Sequence, residues 1–208
     1  MNYIEINNFS DKKVLDIAHK KLSNLYLTDC SKGVFVNEDG IKIFTLNGLS
    51  LLTFIPEVLT LYNHSYTLIK EKYYNNLTHL TEVDVAISAN ILSSNNSDKF
   101  RMHFDRNQIT CIIYLSNNPH MPLKLYPDVR LDPLIYGKVE FELSNFQSVY
   151  IQPNINKALI FNGNRSFHGI EYTNNKKTVI NDLRFSIQFG FNIAEKLNLP
   201  KDKYYGRG

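Results

Sequence analysis

The chain has 208 residues, 43% of them apolar and 21% charged, a composition that excludes an intrinsically disordered protein. Its 23 basic and 20 acidic residues leave a formal charge of +3 and are scattered, so no basic stripe points to nucleic acid. The most apolar long stretch, Leu49 to Tyr62, is interrupted by Thr53, Pro56, Glu57 and Thr60 and falls short of the roughly 20 residues that span a bilayer.

The first residues lack a charged segment followed by an apolar one, so the expectation is a cytoplasmic protein with no secretion signal and no membrane partner. Cys30 and Cys111 are the two cysteines; Cys111 sits in an apolar run, where a thiol acts as a small hydrophobe, and no disulfide framework is expected. The length predicts a single domain over 1–208, with a helical and hairpin support region over 1–80, a β-rich core over 83–192 and a tail over 193–208.

Ser10 or Asp11 can cap a helix from Lys12 to about Leu25, because Val14, Leu15, Ile17, Ala18 and Leu22 repeat with helical spacing. Val34–Val36, the turn Asn37-Glu-Asp-Gly40 and Ile41–Leu46 read as a β-hairpin. From Ser50 to about Tyr74 the apolar positions favour helix, with Pro56 near the start of a turn. Beyond residue 80 short β-rich runs follow one another: 83–91, 100–105, 109–116, 123–126, 138–143, 148–151, 158–161, 167–172 and 183–191. Helices packed outside a mainly β sandwich or barrel are the expected architecture.

The chemistry begins at His103-Phe104-Asp105. On an extended chain, side chains two residues apart share a face, so this imidazole and carboxylate can converge on one ion while Phe104 turns to packing. His168, after an apolar strand and a polar turn, adds a second imidazole. Two histidines and one carboxylate form the facial triad of non-haem Fe(II), with three coordination positions left open. Further on, Arg184, Ser186 and Gln188 alternate with Phe185, Ile187 and Phe189 and share one strand face. A buried guanidinium needs an anion, and its planar fork suits a carboxylate; the hydroxyl of Tyr114 is a candidate second donor.

The ordered set His103-x-Asp105, Thr110-Cys-Ile-Ile-Tyr-Leu115, Leu123-Lys-Leu-Tyr126, His168 and Arg184-x-Ser186 resembles the Fe(II)/2-oxoglutarate-dependent dioxygenases, in particular their prolyl-4-hydroxylase-like branch. The resemblance covers roughly residues 83–192. It implies a double-stranded β-helix, or jelly-roll, core with supporting α-helices. It further implies that His103, Asp105 and His168 hold Fe(II), and that Arg184 binds the distal carboxylate of 2-oxoglutarate with help from Tyr114 and Ser186. The implied reaction uses O2, releases succinate and CO2, and hydroxylates an unactivated C–H bond. Halogenating relatives replace the carboxylate ligand with a small residue, so Asp105 favours hydroxylation.

Two departures stand out: Met121-Pro122 replaces a common Gly-Gly, and Arg184 follows His168 by sixteen residues, which leaves Arg165 as a rival. A small-molecule substrate of amino-acid or natural-product type is the favoured expectation, with a prolyl-type peptide hydroxylase or a non-catalytic binding module as alternatives. Arg101, Arg106, Arg130 and Arg165 read as surface charges, and the loops 93–99 and 117–133 as candidate lids.

Overall fold

The structure, a computed structural model, describes residues 3–38, 41–94, 102–127, 129, 143, 146–171 and 183–194. Strand β1 (Tyr3–Asn7) leads into helix α1 (Lys12–Thr28), then the hairpin of β2 (Val34–Glu38) and β3 (Ile41–Asn47). Helices α2 (Gly48–Phe54) and α3 (Glu57–Lys72), strand β4 (Leu77–His79) and the single turn α4 (Val83–Ala86) follow. The remaining strands are β5 (Ile87–Ser94), β6 (Ile109–Tyr114), β7 (Leu123–Tyr126), β8 (Val149–Ile151), β9 (Lys157–Asn162), β10 (Phe167–Ile170) and β11 (Arg184–Ile193).

Two antiparallel sheets make a double-stranded β-helix, the jelly-roll core with supporting helices. The major sheet runs β1-β9-β6-β11-β5-β3-β2, with β4 also pairing on β11, and the minor sheet runs β10-β7-β8. Alternation along each strand assigns its side chains to one of two cores. On β11, Phe185, Ile187, Phe189 and Phe191 join the cluster shared with the helices. On β6, Cys111 and Ile113 do the same, while Ile112 and Tyr114 join the cluster between the sheets with Leu123, Leu125 and Ile170. Every residue of β6 is therefore buried, which is why its sequence, apart from Thr110, is a run of apolar and aromatic residues rather than alternating. Strand β7 shows the contrasting pattern: Leu123 and Leu125 are buried, whereas Lys124 and Tyr126 are partly exposed.

Helix α1 starts where Asp11 accepts a hydrogen bond from the Lys13 amide at 2.8 Å, and it buries Leu15, Ala18 and Leu22 on one face. Helix α3 buries Val58, Leu61, Tyr62, Ser65 and Ile69, and the ion pair of Lys21 with Glu57 at 2.7 Å ties it to α1. Each fully buried side chain of this size contributes about 1.5–3 kcal/mol. Among the described residues no helix is long and apolar enough to cross a membrane.

The structure departs from the sequence reading at several places. The 50–74 helix is two helices, because Pro56 offers no amide proton and drives Ile55 out of helical geometry, to φ −133° and ψ 71°. Residues 83–86, read as strand from their valines, form the turn α4, packed where Gly48 at φ +49° lets the chain pass against Asp84. Within 100–105 the described residues hold only a bridge at His103, not a continuous strand. Strands β1 and β4 were not anticipated, and four strands from before residue 80 join the major sheet. Arg101 and Arg130, the turn residues Asp39 and Gly40, most of the 93–99 loop, much of 117–133, nearly all of 138–143 and the tail beyond residue 194 lie outside the described residues.

Candidate active site

The inner face of the minor sheet carries His168. Its neighbour Phe167 turns outward to pack with Phe104 at 5.1 Å between ring centroids, so strand parity sends the imidazole into the space between the sheets. His103 lies directly opposite, and the two main chains exchange hydrogen bonds of 2.8 and 2.9 Å. Two residues on, the amide of Asp105 donates to the Gly163 carbonyl at 3.0 Å, which brings the carboxylate to the same place.

The ligating atoms of His103, Asp105 and His168 all lie within 4.8 Å of one another. His103 Nε2 is 3.5 Å from Asp105 Oδ1, and His168 Nε2 is 3.6 Å from Asp105 Oδ2. His168 Nδ1 stands 2.9 Å from the Ser166 carbonyl. A carbonyl only accepts, so Nδ1 carries the proton and Nε2 presents its lone pair to the cluster. Burial lowers the His168 pKa to about 4, against the attraction of Asp105. Burial works in the opposite direction on Asp105, but the charges of His168 and His103 and the hydrogen bonds from His103 and Thr110 outweigh it and hold the carboxyl at about 2. At neutral pH the cluster thus offers a neutral imidazole beside an ionised carboxylate, the forms that bind metal.

The same cavity is lined by Arg184, 2% exposed, which has the fully buried Tyr114 as its neighbour. The guanidinium carbon lies 5.1 Å from the Tyr114 ring centroid. Among the described residues neither Arg184 Nε nor the Tyr114 hydroxyl has a hydrogen-bond partner of sound geometry, although both atoms are buried and the two side chains attract each other. Burial drives the tyrosine pKa up and the arginine pKa down. Two orphaned donors beside a buried cation are a costly arrangement that an anionic acceptor relieves. A molecule with a carboxylate at one end and oxygen ligands for a metal at the other fits the residues present.

The cavity measures about 230 Å³, below the roughly 300–1,000 Å³ of drug-sized sites. Its lining includes a neutral polar row set by strand register, Thr45 opposite Asn90, which is itself opposite Ser186, with apolar walls from Ile43, Leu92, Leu123 and Ile170. Thr45 donates to Asn90 Oδ1 at 3.0 Å.

Of the six residues singled out from the sequence, His103, His168, Arg184 and Ser186 line this cavity, Asp105 completes the cluster with the two histidines, and Tyr114 packs against the Arg184 guanidinium. Arg165, the rival to Arg184, is exposed. His64 and His79 serve as structural partners of Phe9 and Tyr62. The sequence assigns no role to Thr110 and Gln188, which bond the Asp105 carboxylate, to Asn107, which bonds Thr110, or to Thr45 and Asn90. For Gln188 the signal was present, since it alternates in phase with Arg184.

No protein-family model matches the chain, and no curated protein matches it. Solved structures do. AviO1 from Streptomyces viridochromogenes aligns with a TM-score of 0.68 at 14% identity, over 96% of this chain and 93% of that one. The non-haem α-ketoglutarate-dependent epimerase SnoN from nogalamycin biosynthesis gives 0.67 at 12% identity, over 91% and 77%. A prolyl hydroxylase from Trichoplax adhaerens, solved with a hypoxia-inducible-factor peptide, gives 0.63 at 18% identity, over 91% and 83%. Identities this low establish the shared fold, and the reaction has to be argued from the site's own groups.

Proposed function

We propose that the chain is an Fe(II)- and 2-oxoglutarate-dependent oxygenase that hydroxylates a C–H bond of a small molecule, with release of succinate and CO2. The observation that carries this reading is the pairing, within one cavity, of a His-Asp-His cluster with a buried Arg184 whose Nε lacks a partner.

His103, Asp105 and His168 would hold the ion, and a bound ferrous ion would supply the redox chemistry that couples oxygen reduction to decarboxylation of the co-substrate. The protein's own share is positioning and charge. His168 is fixed in orientation by Ser166, so its Nε2 is delivered without a search among ring orientations. Arg184, with the Tyr114 hydroxyl beside it, anchors the far carboxylate of 2-oxoglutarate and so aims its other end at the triad. Ile43, Ile112, Leu123 and Ile170 keep that space dry, which strengthens each charge interaction within it. Thr45 and Asn90 offer the substrate uncharged hydrogen-bonding groups, and the cavity's size favours a metabolite over a peptide segment.

The test is formation of succinate from 2-oxoglutarate by the purified protein with Fe(II) and O2, scored with a panel of amino acids and natural-product intermediates by mass spectrometry for a gain of one oxygen atom. Succinate formation that requires both Fe(II) and O2 and vanishes in His103→Ala is the expected result. Persistence of turnover in His103→Ala contradicts the assignment.

A further inference from the structure

The two carboxylate oxygens of Asp105 have different surroundings. Each oxygen faces one imidazole, Oδ1 at 3.5 Å from His103 Nε2 and Oδ2 at 3.6 Å from His168 Nε2, but Oδ2 also accepts hydrogen bonds from Thr110 Oγ1 at 2.5 Å and from Gln188 Nε2 at 3.3 Å. Behind Thr110, Asn107 Nδ2 donates to the Ile109 carbonyl at 2.7 Å and to Thr110 Oγ1 at 2.6 Å. The carbonyl can only accept, which fixes the nitrogen of Asn107 on that side. The Thr110 hydroxyl oxygen then accepts a hydrogen bond from Asn107, and its own O–H donates to Asp105 Oδ2. An ionised carboxylate accepts only, so the amino end of Gln188 faces it as well. The direction of every bond in the chain from Asn107 to Asp105 is thus determined.

The surrounding backbone is shaped to admit this network. Asn107 and Thr110 are 4% and 0% exposed. A Cβ on Gly163 would strike Thr110 Oγ1 and lie 2.7 Å from the Asn107 carbonyl oxygen, and one on Gly190 would lie 2.9 Å from Asn107 Cγ. Gly190 stands opposite Thr110 in the β6–β11 register. Both glycines sit where only a missing side chain leaves room for the polar groups behind Asp105.

We propose that Thr110 and Gln188 are positioning residues that engage Asp105 Oδ2, so that the carboxylate offers Oδ1 alone to a metal ion. A carboxylate with both oxygens free can bind through both and occupy one of the three positions that the triad leaves open. Thr110 and Gln188 keep that position for co-substrate and oxygen. The inference rests on the reading of His103, Asp105 and His168 as metal ligands.

Co(II) is the probe. Its binding to the apoprotein is followed by calorimetry, and its visible absorption reports coordination. Thr110→Val and Gln188→Met are expected to weaken Co(II) binding about 10–100-fold, the range for loss of a partner behind a metal ligand, and to alter the Co(II) spectrum. Thr110→Ser, which keeps the hydroxyl, is expected to restore both. The melting temperature of the Gln188→Met apoprotein should match the wild type, which separates positioning from folding, and if Thr110→Val does not fold Gln188→Met decides. Wild-type affinity and spectrum in Gln188→Met and in folded Thr110→Val overturn the inference and leave the metal site standing. A wild-type protein that binds no Co(II) overturns both.

Discussion

The main chains of His103 and His168 pair with each other through two hydrogen bonds, at 2.8 and 2.9 Å, and their rings stand 4.5 Å apart between centroids. Two imidazoles that are distant in sequence are placed by backbone pairing rather than by side-chain contacts. The space for an ion is consequently set by the sheet itself.

Because the pairing uses main-chain atoms, His103→Ala should remove a ligand and leave the bridge. Fe(II) affinity of the apoprotein is expected to fall by more than about 100-fold, beyond the 10–100-fold typical of partners behind the ligands. Circular dichroism and the melting temperature of the apoprotein should hardly change. A large fall in melting temperature would mean that the imidazole itself supports the fold.

Arg184 separates stability from binding. With its Nε unpaired among the described residues and the side chain buried, replacing it by Met removes a buried charge that the Tyr114 ring compensates only in part, and the apoprotein should gain about 1 kcal/mol or more in chemical denaturation. The same substitution removes the anchor for 2-oxoglutarate and should cost roughly 2–5 kcal/mol of binding, a factor of about 30 or more, in calorimetry of the metal-loaded protein. Metal affinity should stay at the wild-type level.

Gly163→Ala tests the room made for the network behind Asp105. The new methyl would meet the Asn107 backbone at 2.7 Å, where relief requires moving the chain, so unfolding stability should fall by about 1–3 kcal/mol. Gly190→Ala presses mainly on side chains, of Asn107 and Leu80, and should cost less. Urea denaturation of the two apoproteins compares them directly.

The thiols differ in the same physical terms. Burial raises the Cys111 pKa to about 12, with a hydrogen bond from Ser65 pulling the other way, while Cys30 is exposed. At pH 8 the native protein should react with one equivalent of a thiol reagent, at Cys30, and with a second only after denaturation. Two fast equivalents in the native protein would show that β6 opens readily.

Much of the site was readable because strand parity is a strong constraint. The phase of Arg184 with Ser186 specifies a shared face on β11, and the two-residue step from His103 to Asp105 brings imidazole and carboxylate together although only His103 forms a bridge there. Strand β1 was not readable in the same way: its partner β9 lies more than 150 residues away, Tyr3 opposite Phe161, and nothing local announces such a pairing. The valines of 83–86 favour strand by propensity, and packing of α4 against Gly48 overrides them. The support of Asp105 stayed hidden for another reason. Asn107, Thr110 and Gln188 are ordinary polar residues, and only the bonds of Thr110 and Gln188 to one Asp105 oxygen, with Asn107 behind Thr110, distinguish them.

The central claim is that the His103, Asp105 and His168 triad and Arg184 form one site for a metal and a dicarboxylate. Anaerobic calorimetry tests it, with Fe(II) titrated into the apoprotein and 2-oxoglutarate added afterwards. The account predicts one ion per chain, then one 2-oxoglutarate whose tight binding requires both the ion and Arg184. Binding of 2-oxoglutarate with equal affinity in the absence of metal, or in Arg184→Met, would contradict it.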